Sequence, residues 1–444
     1  MATEITLNDL KSFEKDFDKS DKNLAIMDAV CTNGIVNCAI SNEDSKKLTH
    51  AFSTEVEGGN VTDQKRSGRC WMFAATNVMR FEVMKNLNLP NMELSQSYPL
   101  FYDKLEKANY FLEAILTTLD EKTSSRTIAF LLSSPMGDGG QWDMFADLIR
   151  KYGICPKSCM PETFSSSNTL SLDKYLTLKL REYAKTLRTQ HEKGKKEEDL
   201  RPMKKKMLTT IYRMLVIALG KPPLKFTFET RDKKNNFVSI KDITPVDFYN
   251  TYVKLDLSDY VSVINAPTSD KPFNRSFTVN FLGNVKGGKP VRYLNLPIKE
   301  LKMMAINQLK DGNAVWFGSD VGQYCDRLSG KMSKEIFNLE NLFSTEFPLT
   351  KAERLDYGES LMTHAMTLTG VNLVRGRPNR WKVENSWGPA NGNNGFFVMD
   401  DKWFDEFTYQ VVINKKYLTP EQLKAYESDP IVLEPWDPMG SLAL

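Results

Sequence analysis

The sequence has no long hydrophobic run, and it contains few cysteines and few histidines. Its longest apolar segment, MLVIALG at 214–220, is far shorter than the roughly 20 residues that a membrane-spanning helix needs. The first 23 residues carry mixed charge and lack the apolar core of a secretory signal. Six cysteines in 444 residues are few for a disulfide-rich protein. We therefore expect a cytosolic protein with reduced thiols and no membrane partner.

The sequence also lacks a large excess of charge of either sign, because 59 basic and 56 acidic residues leave a net charge of only +3. So small a charge predicts no strong field toward nucleic acid or membrane. The Lys-rich run at 191–207, HEKGKKEEDLRPMKKKM, leaves a nucleic-acid-binding scaffold open as an alternative. Acidic residues dilute that run and no aromatic residues interleave for base stacking, so nucleic acid is at most a secondary partner.

Metal-binding patterns are scarce as well. Cys155 and Cys159 lie close together in CPKSC, but no second pair and no histidine lies near them. Because a structural zinc needs four ligands, we expect no metal site there. We predict no cofactor for this chain.

The order of predicted elements, helices first and strands last, indicates an α+β fold. One helix begins near Cys70, a second has Pro99 in its first turn, and a third ends at Gly153. Strands dominate from residue 313. We divide the chain into an N-terminal extension at 1–60, a helical lobe at 61–164, a Lys-rich helical insertion at 165–300, a β lobe at 301–415 and a C-terminal arm at 416–444.

The stretch QKRSGRCWMFAATNVMR at 64–80 places a single Cys, Cys70, at the predicted start of a helix after Gly68. The positive end of a helix favours a thiolate, which is the nucleophilic form of cysteine. A buried structural cysteine is the alternative. A partner base is needed to decide between the two.

Only three histidines are present, and one of them has the surroundings of a base. His191 lies in the charged run and His50 at a predicted surface, whereas His364 heads an apolar strand, MTHAMTLTG. Asn385 follows His364 by 21 positions, in ENSWG. Its side chain can accept an N–H from the imidazole and so fix the orientation of the ring.

Two further residues complete the pattern. Trp387 lies two positions after Asn385 and can shield its hydrogen bond to the imidazole. Gln64 lies six positions before Cys70, where its amide, together with the Cys70 backbone N–H, can stabilise an oxyanion. The residues thus supply a nucleophile, a base, an orienting amide and an oxyanion donor.

These motifs together resemble the papain superfamily of cysteine peptidases, with SGRCW at 67–71, DGGQW at 138–142, THAM at 363–366 and ENSWG at 384–388. The histidine of papain-like enzymes follows the cysteine by about 130–150 residues, whereas here it follows by 294. The segment at 165–300 is the candidate insertion. With the ending EPWDPMGSLAL, the chain as a whole resembles the bleomycin hydrolase / aminopeptidase C family.

The resemblance implies a two-lobed papain-like core, with a helical lobe, a β-barrel-like lobe and a large helical insertion. It implies a homohexamer and a cytosolic thiol aminopeptidase of broad specificity, acting through a thioacyl-enzyme and including bleomycin-like amides among its substrates. It assigns Cys70 as nucleophile, His364 as acid and base, Asn385 as orienting residue and Gln64 as oxyanion donor.

The resemblance also implies residues that bind the peptide. Gly139 and Gly140 would let the cleft wall approach a substrate main chain, since they have no side chain. Trp387 would line the cleft. The arm would lie in the cleft, with Ala443 or the extra C-terminal Leu444 facing the substrate ammonium. The prolines of IVLEPWDPMGSLAL at 431–444 predict that this last part of the arm is extended and not helical. If the arm does not block the cleft, the alternative is an endopeptidase.

Overall fold

The computed structural model describes residues 4–443. In chain order, helices α1 to α17 span Leu7–Phe17, Asp21–Asn33, Ile35–Ala39, Asn42–Lys47, Cys70–Asn86, Ser97–Thr117, Arg126–Ser133, Trp142–Tyr152, Phe164–Ser167, Leu170–Glu192, Glu197–Leu219, Pro245–Phe248, Ile298–Lys310, Leu339–Phe343, Lys351–Asp356, Asp401–Phe407 and Pro420–Glu427. A π-helix spans Tyr249–Val253, and short 3-10 helices span Lys157–Cys159, Leu257–Asp259, Lys334–Ile336, Lys415–Tyr417 and Pro438–Ala443.

Strands β1 to β14 span Thr54–Glu55, Phe226–Arg231, Phe237–Ile243, Tyr260–Ile264, Arg275–Val279, Tyr293–Asn295, Val315–Ser319, Cys325–Asp326, Lys331–Met332, His364–Val374, Arg377–Glu384, Phe396–Asp400, Thr408–Asn414 and Ile431–Leu433. Twelve of them form one mixed sheet in the order β14-β5-β6-β4-β13-β7-β10-β11-β12-β9-β8, with β1 pairing on β10. Strands β2 and β3 form a separate hairpin. Since long helices dominate the first half and sheet strands the second, the predicted α+β class is confirmed.

Helix α5 is the central helix of the core and packs against β10 of the sheet. Its residues Phe73, Ala74, Val78, Phe81 and Met84 are buried, as their spacing predicts. Apolar residues also cover its other sides, so the helix is enclosed by protein all round. The predicted helices with Pro99 in the first turn and Gly153 at the end are α6 and α8. Gly153 has a φ of +72°, the left-handed conformation that glycine adopts without strain.

The predicted boundary at residue 300 does not separate the sheet from the insertion. Helices α10 and α11 form a long hairpin within 165–300, but β4, β5 and β6 of the same segment lie in the main sheet. Strand β4 pairs with β13, which comes from residues 408–414. Hydrogen bonding to β13 therefore ties the end of the predicted insertion to the β lobe. The rest of the domain division stays a prediction.

The C-terminal arm differs from the extended segment that its prolines predict. Residues 431–433 form β14, but Pro438–Ala443 forms a 3-10 helix, so the prediction that the arm cannot be helical is wrong for these six residues. Pro438 is the first residue of that helix, where a missing N–H removes no intrahelical hydrogen bond. Leu444 lies outside the described residues. No helix within residues 4–443 is long and apolar enough to cross a membrane.

Candidate active site

Cys70 is the first residue of α5, and the turn that leads to it is held by Asp138. The Gly68 N–H donates to Asp138 Oδ2 at 2.7 Å, and the Trp71 indole N–H donates to the Asp138 carbonyl at 2.7 Å. A Cβ on Gly68 would lie 2.7 Å from the Cβ of Asp138, so only glycine allows this close approach. The sequence reasoning missed the role of Asp138, although the residue stands at the head of the DGGQW motif.

His364 and Asn385 come together because they stand at the same end of two paired strands. His364 begins β10, Asn385 directly follows β11, and the two strands pair antiparallel, with Thr367 opposite Glu384. Nε2 of His364 lies 2.9 Å from Oδ1 of Asn385. The spacing of 21 residues is thus the length of a β-hairpin that returns to its starting edge.

The hydrogen bonds of Asn385 decide which imidazole nitrogen carries the proton. Oδ1 of Asn385 also accepts the backbone N–H of Ser386 at 2.8 Å, which identifies this atom as an acceptor. Nε2 of His364 is therefore the donor of the shared hydrogen bond. In the neutral ring Nδ1 then has a free lone pair, the form that can take a proton from a thiol.

Cys70 lies next to the strand that carries His364, and burial sets the ionisation of both groups. Burial raises the pKa of the Cys70 thiol to about 11, opposed by the N–H of Ala365, the neighbour of His364 on β10. Burial also lowers the pKa of His364 to about 4, opposed by the hydrogen bond that its Nε2–H donates to Asn385. Both effects favour the neutral thiol–imidazole pair when the cleft is closed.

Gln64 is hydrogen-bonded to Ser386, the residue that follows Asn385. Its backbone N–H donates to the Ser386 carbonyl at 2.8 Å, and its Oε1 accepts the Ser386 hydroxyl at 2.6 Å. Its Nε2 donates one hydrogen to the Ser67 carbonyl at 2.6 Å. The second hydrogen of that amide is available to an oxyanion beside Cys70. All four predicted catalytic residues therefore converge on one place, although they are spread over 322 positions of the chain.

Trp387 packs on the imidazole, and Arg327 packs on Trp387. The rings of His364 and Trp387 have centroids 4.9 Å apart at 35°, and the Arg327 guanidinium carbon lies 4.9 Å from the centroid of Trp387. The predicted shielding role of Trp387 agrees with this geometry. Nothing in the sequence around Arg327 indicated its place, which is the short turn between the paired strands β8 and β9.

The glycine pair faces the C-terminal arm. The Gly140 N–H donates to the Leu442 carbonyl at 3.0 Å, a main-chain contact of the kind predicted for a bound peptide. A Cβ on Gly140 would lie 2.5 Å from the Trp71 ring, so a side chain there would force the wall to shift. The Gly139 carbonyl accepts from Nζ of the buried Lys107 at 2.5 Å, a second contact that the sequence reasoning missed.

Several contacts hold the arm in this position. The Ser441 hydroxyl donates to the Met362 carbonyl at 2.9 Å, and Met439 and Leu442 are buried, whereas a solvated tail would expose them. Ala443 lines a cavity of about 100 Å³ together with Lys107 and Gly137. The last described residues thus lie between the glycine wall and the segment that leads into His364.

The other candidate positions lie elsewhere. His191 pairs with Asp120 on the surface, with Nε2 to Oδ1 at 3.0 Å. Cys155 and Cys159 are free thiols, and no group of three or more potential ligands for a metal ion occurs within residues 4–443.

Comparison with known proteins gives full-length matches. Residues 4–440 match the model of the Peptidase C1-like family. Aminopeptidase C of Listeria innocua serovar 6a is 50% identical over 445 residues, which cover 100% of both chains. Aminopeptidase C of Lactobacillus delbrueckii subsp. lactis is 46% identical over 446 residues and covers 100% of this chain and 99% of its own. The crystal structure of PepW from Lactobacillus rhamnosis HN001 superposes with a TM-score of 0.98 at 51% identity, covering 99% of each chain.

Proposed function

We propose that this chain, which belongs to the Peptidase C1-like family, is a cysteine aminopeptidase whose chemistry is carried by Cys70, His364, Asn385 and Gln64. The predicted membership in the papain superfamily, and in its bleomycin hydrolase / aminopeptidase C family, is confirmed, and so is the papain-like fold. The observation that carries the proposal is the hydrogen bond between Nε2 of His364 and Oδ1 of Asn385, at the start of the strand whose Ala365 N–H faces the Cys70 thiol.

The proposed reaction is acyl transfer through a thioester. Nδ1 of His364 takes the proton of the Cys70 thiol while the sulfur attacks the carbonyl carbon of the first peptide bond. The oxygen of that carbonyl becomes an anion, stabilised by the free N–H of the Gln64 amide and the backbone N–H of Cys70. The imidazolium then gives its proton to the leaving amine. A water molecule, deprotonated by the same imidazole, hydrolyses the thioester and restores the thiol.

The restriction to free N-termini is supported by the position of the arm. Since the Leu442 carbonyl occupies the main-chain donor of Gly140, a substrate that extended further along the glycine wall would have to displace the arm. This contact disfavours the endopeptidase alternative. The nucleic-acid-binding alternative receives less support from the Lys-rich segment, because Arg201 pairs with Glu113 and Lys204 forms a close ion pair with the same carboxylate. Hydrolysis of bleomycin-like amides stays a prediction.

The decisive assay compares aminoacyl amides with their N-acetylated analogues in the same buffer. We expect hydrolysis of the free-amine substrates and rates at least about 100-fold lower for the blocked ones, because an acetyl group collides with the arm. Equal rates for the two sets would contradict the aminopeptidase assignment, while loss of both activities in a Cys70→Ala variant would still identify a cysteine peptidase.

Replacing Gln64 by alanine should lower kcat for an aminoacyl amide by about 10²–10³-fold, because one oxyanion donor is lost. Gln64→Glu is the matched control, since a carboxylate keeps the acceptor for Ser386 and lacks the N–H. Both variants should lose kcat to a similar extent in steady-state kinetics. A change in KM alone would instead make Gln64 a binding residue.

Replacing Asn385 by alanine should lower kcat and move the acidic limb of the pH–rate profile to lower pH. The sign follows from the hydrogen bond to Nε2, which raises the pKa of His364, so that its loss lets burial lower the pKa further. The measurement is kcat/KM between pH 4 and 9. A limb displaced to higher pH would show that the Asn385 amide does not stabilise the imidazolium.

We extend the proposal to assembly and location. The hairpin of α10 and α11 exposes large apolar side chains in the single chain, including Leu170 at 77%, Leu178 at 61% and Ile217 at 79% exposure. Exposed apolar surface of this kind is typical of a subunit interface and supports the homohexamer that the resemblance implies. The free thiols Cys155 and Cys159, four positions apart, fit the reducing conditions of the cytoplasm.

Light scattering tests the assembly. We expect a mass several times the 50.7 kDa of one chain, and a smaller particle for a Leu170→Glu/Leu178→Glu variant, because two buried carboxylates would destabilise the interface. A monomer at working concentration in the unaltered protein would contradict the proposed hexamer.

A further inference from the structure

The arm and His364 define the direction in which a substrate must lie, which leaves one end of the cleft without an assigned ligand. The arm occupies the Gly140 side, so the N-terminal residue of the substrate lies between that wall and Cys70. The leaving amine must lie within hydrogen-bond distance of His364 to receive its proton. The rest of the leaving part therefore continues past the imidazole, on the side where Trp387 packs.

On that side Arg327 presents a guanidinium without a carboxylate partner. The side chain is exposed, and it makes no ion pair within 4.0 Å in the part of the chain that the structure describes. The adjacent carboxylate of Asp326 is engaged by its own loop, since it accepts the Leu328 N–H at 3.2 Å. Packing on the Trp387 ring holds the guanidinium in place, so binding an anion would cost little further side-chain entropy.

The distances suit a short leaving group. In a dipeptide the α-carboxylate carbon lies about 2.5 Å from the leaving nitrogen, hence about 5 Å from the imidazole nitrogen that protonates it. The Arg327 guanidinium carbon and the His364 ring centroid each lie 4.9 Å from the Trp387 ring centroid. The distance between the guanidinium and the imidazole is therefore at most the sum of these two distances. The distance left between the substrate carboxylate and the Arg327 guanidinium is that of an ordinary ion pair. Each additional residue moves the terminal carboxylate away by about 3.5 Å.

An ion pair at Arg327 would also assist the proton transfers. The positive charge of Arg327 disfavours the protonated imidazole of His364, and it contributes to the lowered pKa of that group. The reaction passes through an imidazolium. A carboxylate bound to Arg327 offsets the repulsion at the step where the imidazolium forms, so the effect should appear in kcat as well as in KM.

We propose that Arg327 binds a carboxylate on the leaving part of the substrate and so makes short acidic leaving groups preferred. The carboxylate is either the free α-carboxylate of a dipeptide or the side chain of Asp or Glu in the position after the cleaved bond. This inference rests on the proposed aminopeptidase function. It makes Arg327 a specificity-determining residue rather than a catalytic one.

The test compares pairs of substrates that differ in one charge. Leu-Gly and Leu-Gly-amide test the α-carboxylate, and Leu-Asp-amide and Leu-Asn-amide test the side chain. For unaltered protein we expect kcat/KM about 5- to 10-fold higher for the acid in at least one pair, an advantage that decreases with added salt. In Arg327→Gln this ratio should fall to about one, and Arg327→Lys should keep part of it.

A change in the pKa of His364 caused by the substitution alters kcat/KM for both substrates of a pair, so it cancels in the acid-to-neutral ratio. Arg375→Gln is the matched control, because this substitution removes the same charge at a distant place. Arg375 is exposed in the turn between β10 and β11, at the far end of the hairpin from His364. An acid-to-neutral ratio in Arg327→Gln equal to that of the unaltered protein overturns the role of Arg327 while leaving the aminopeptidase intact. Failure of the unaltered protein to cleave any of the four substrates overturns both.

Discussion

Replacing Cys70 by alanine should reduce hydrolysis of aminoacyl amides by at least about 10⁴-fold while the protein still folds. The thioester cannot form without the sulfur, and the remaining groups can only position substrate and polarise its carbonyl. Loss of one buried sulfur atom costs about 1 kcal/mol, far less than a domain of this size needs to unfold. The measurements are kcat with a sensitive fluorogenic amide and the thermal unfolding midpoint.

Cys155→Ala is the matched control for this variant. Cys155 is fully buried, so the same atom is removed from the core without touching the site. We expect a comparable small loss of stability and unchanged kcat. Retention of activity in Cys70→Ala would contradict the cysteine-peptidase mechanism, whereas equal loss of activity in both variants would point to a packing defect.

Deleting residues 441–444 should convert the enzyme from one that requires a free N-terminus into one that also cleaves N-blocked and internal bonds. The deletion removes the Leu442 carbonyl from Gly140 and the Ser441 hydroxyl from Met362, so a longer peptide can pair with the glycine wall. We expect aminopeptidase activity to fall by about tenfold or more, because the resemblance implies that the substrate ammonium faces the end of the arm, whose carboxylate would be moved away. The rate of hydrolysis of the N-acetylated substrates should rise by at least the same factor.

Ser441→Ala gives the matched control, since it removes one hydrogen bond and keeps the length of the arm. This variant should retain the requirement for a free amine, and mass spectrometry of digested peptides should show only N-terminal trimming. If the truncated protein keeps the same requirement, another group must close the cleft.

The local chemistry of the site was readable in part, because a helix start at Cys70 and a strand headed by His364 follow from periodicity and turn signals. Asn385 and Gln64 were identified from their spacing to these two residues and from the motifs around them. Arg327 could not be predicted in this way. Its position depends on how the turn between β8 and β9 packs on Trp387, and no local pattern records such a contact.

The larger organisation was only partly readable, for a related reason. Residues 260–264 have the composition of a strand, but hydrogen bonding to β13, about 150 positions later, decides that they join the main sheet. The 3-10 helix at 438–443 likewise depends on tertiary contacts. Tyr293 donates to the Met439 carbonyl at 3.0 Å, and such a bond can favour a turn over the extended form that prolines predict.

Strand β13 lies at the centre of the main sheet, between β4 and β7, although it is among the last elements to be synthesised. During synthesis, β4 with β6 and β7 with β10 remain two unjoined parts of the sheet until β13 emerges, because β13 is the strand that pairs with both β4 and β7. Cys70 leaves the exit tunnel hundreds of residues earlier, without the base that activates it. Nascent chains, and translation products truncated before β10, would therefore carry the Cys70 thiol without its base, and the arm that restrains the site is synthesised soon after the sheet is completed.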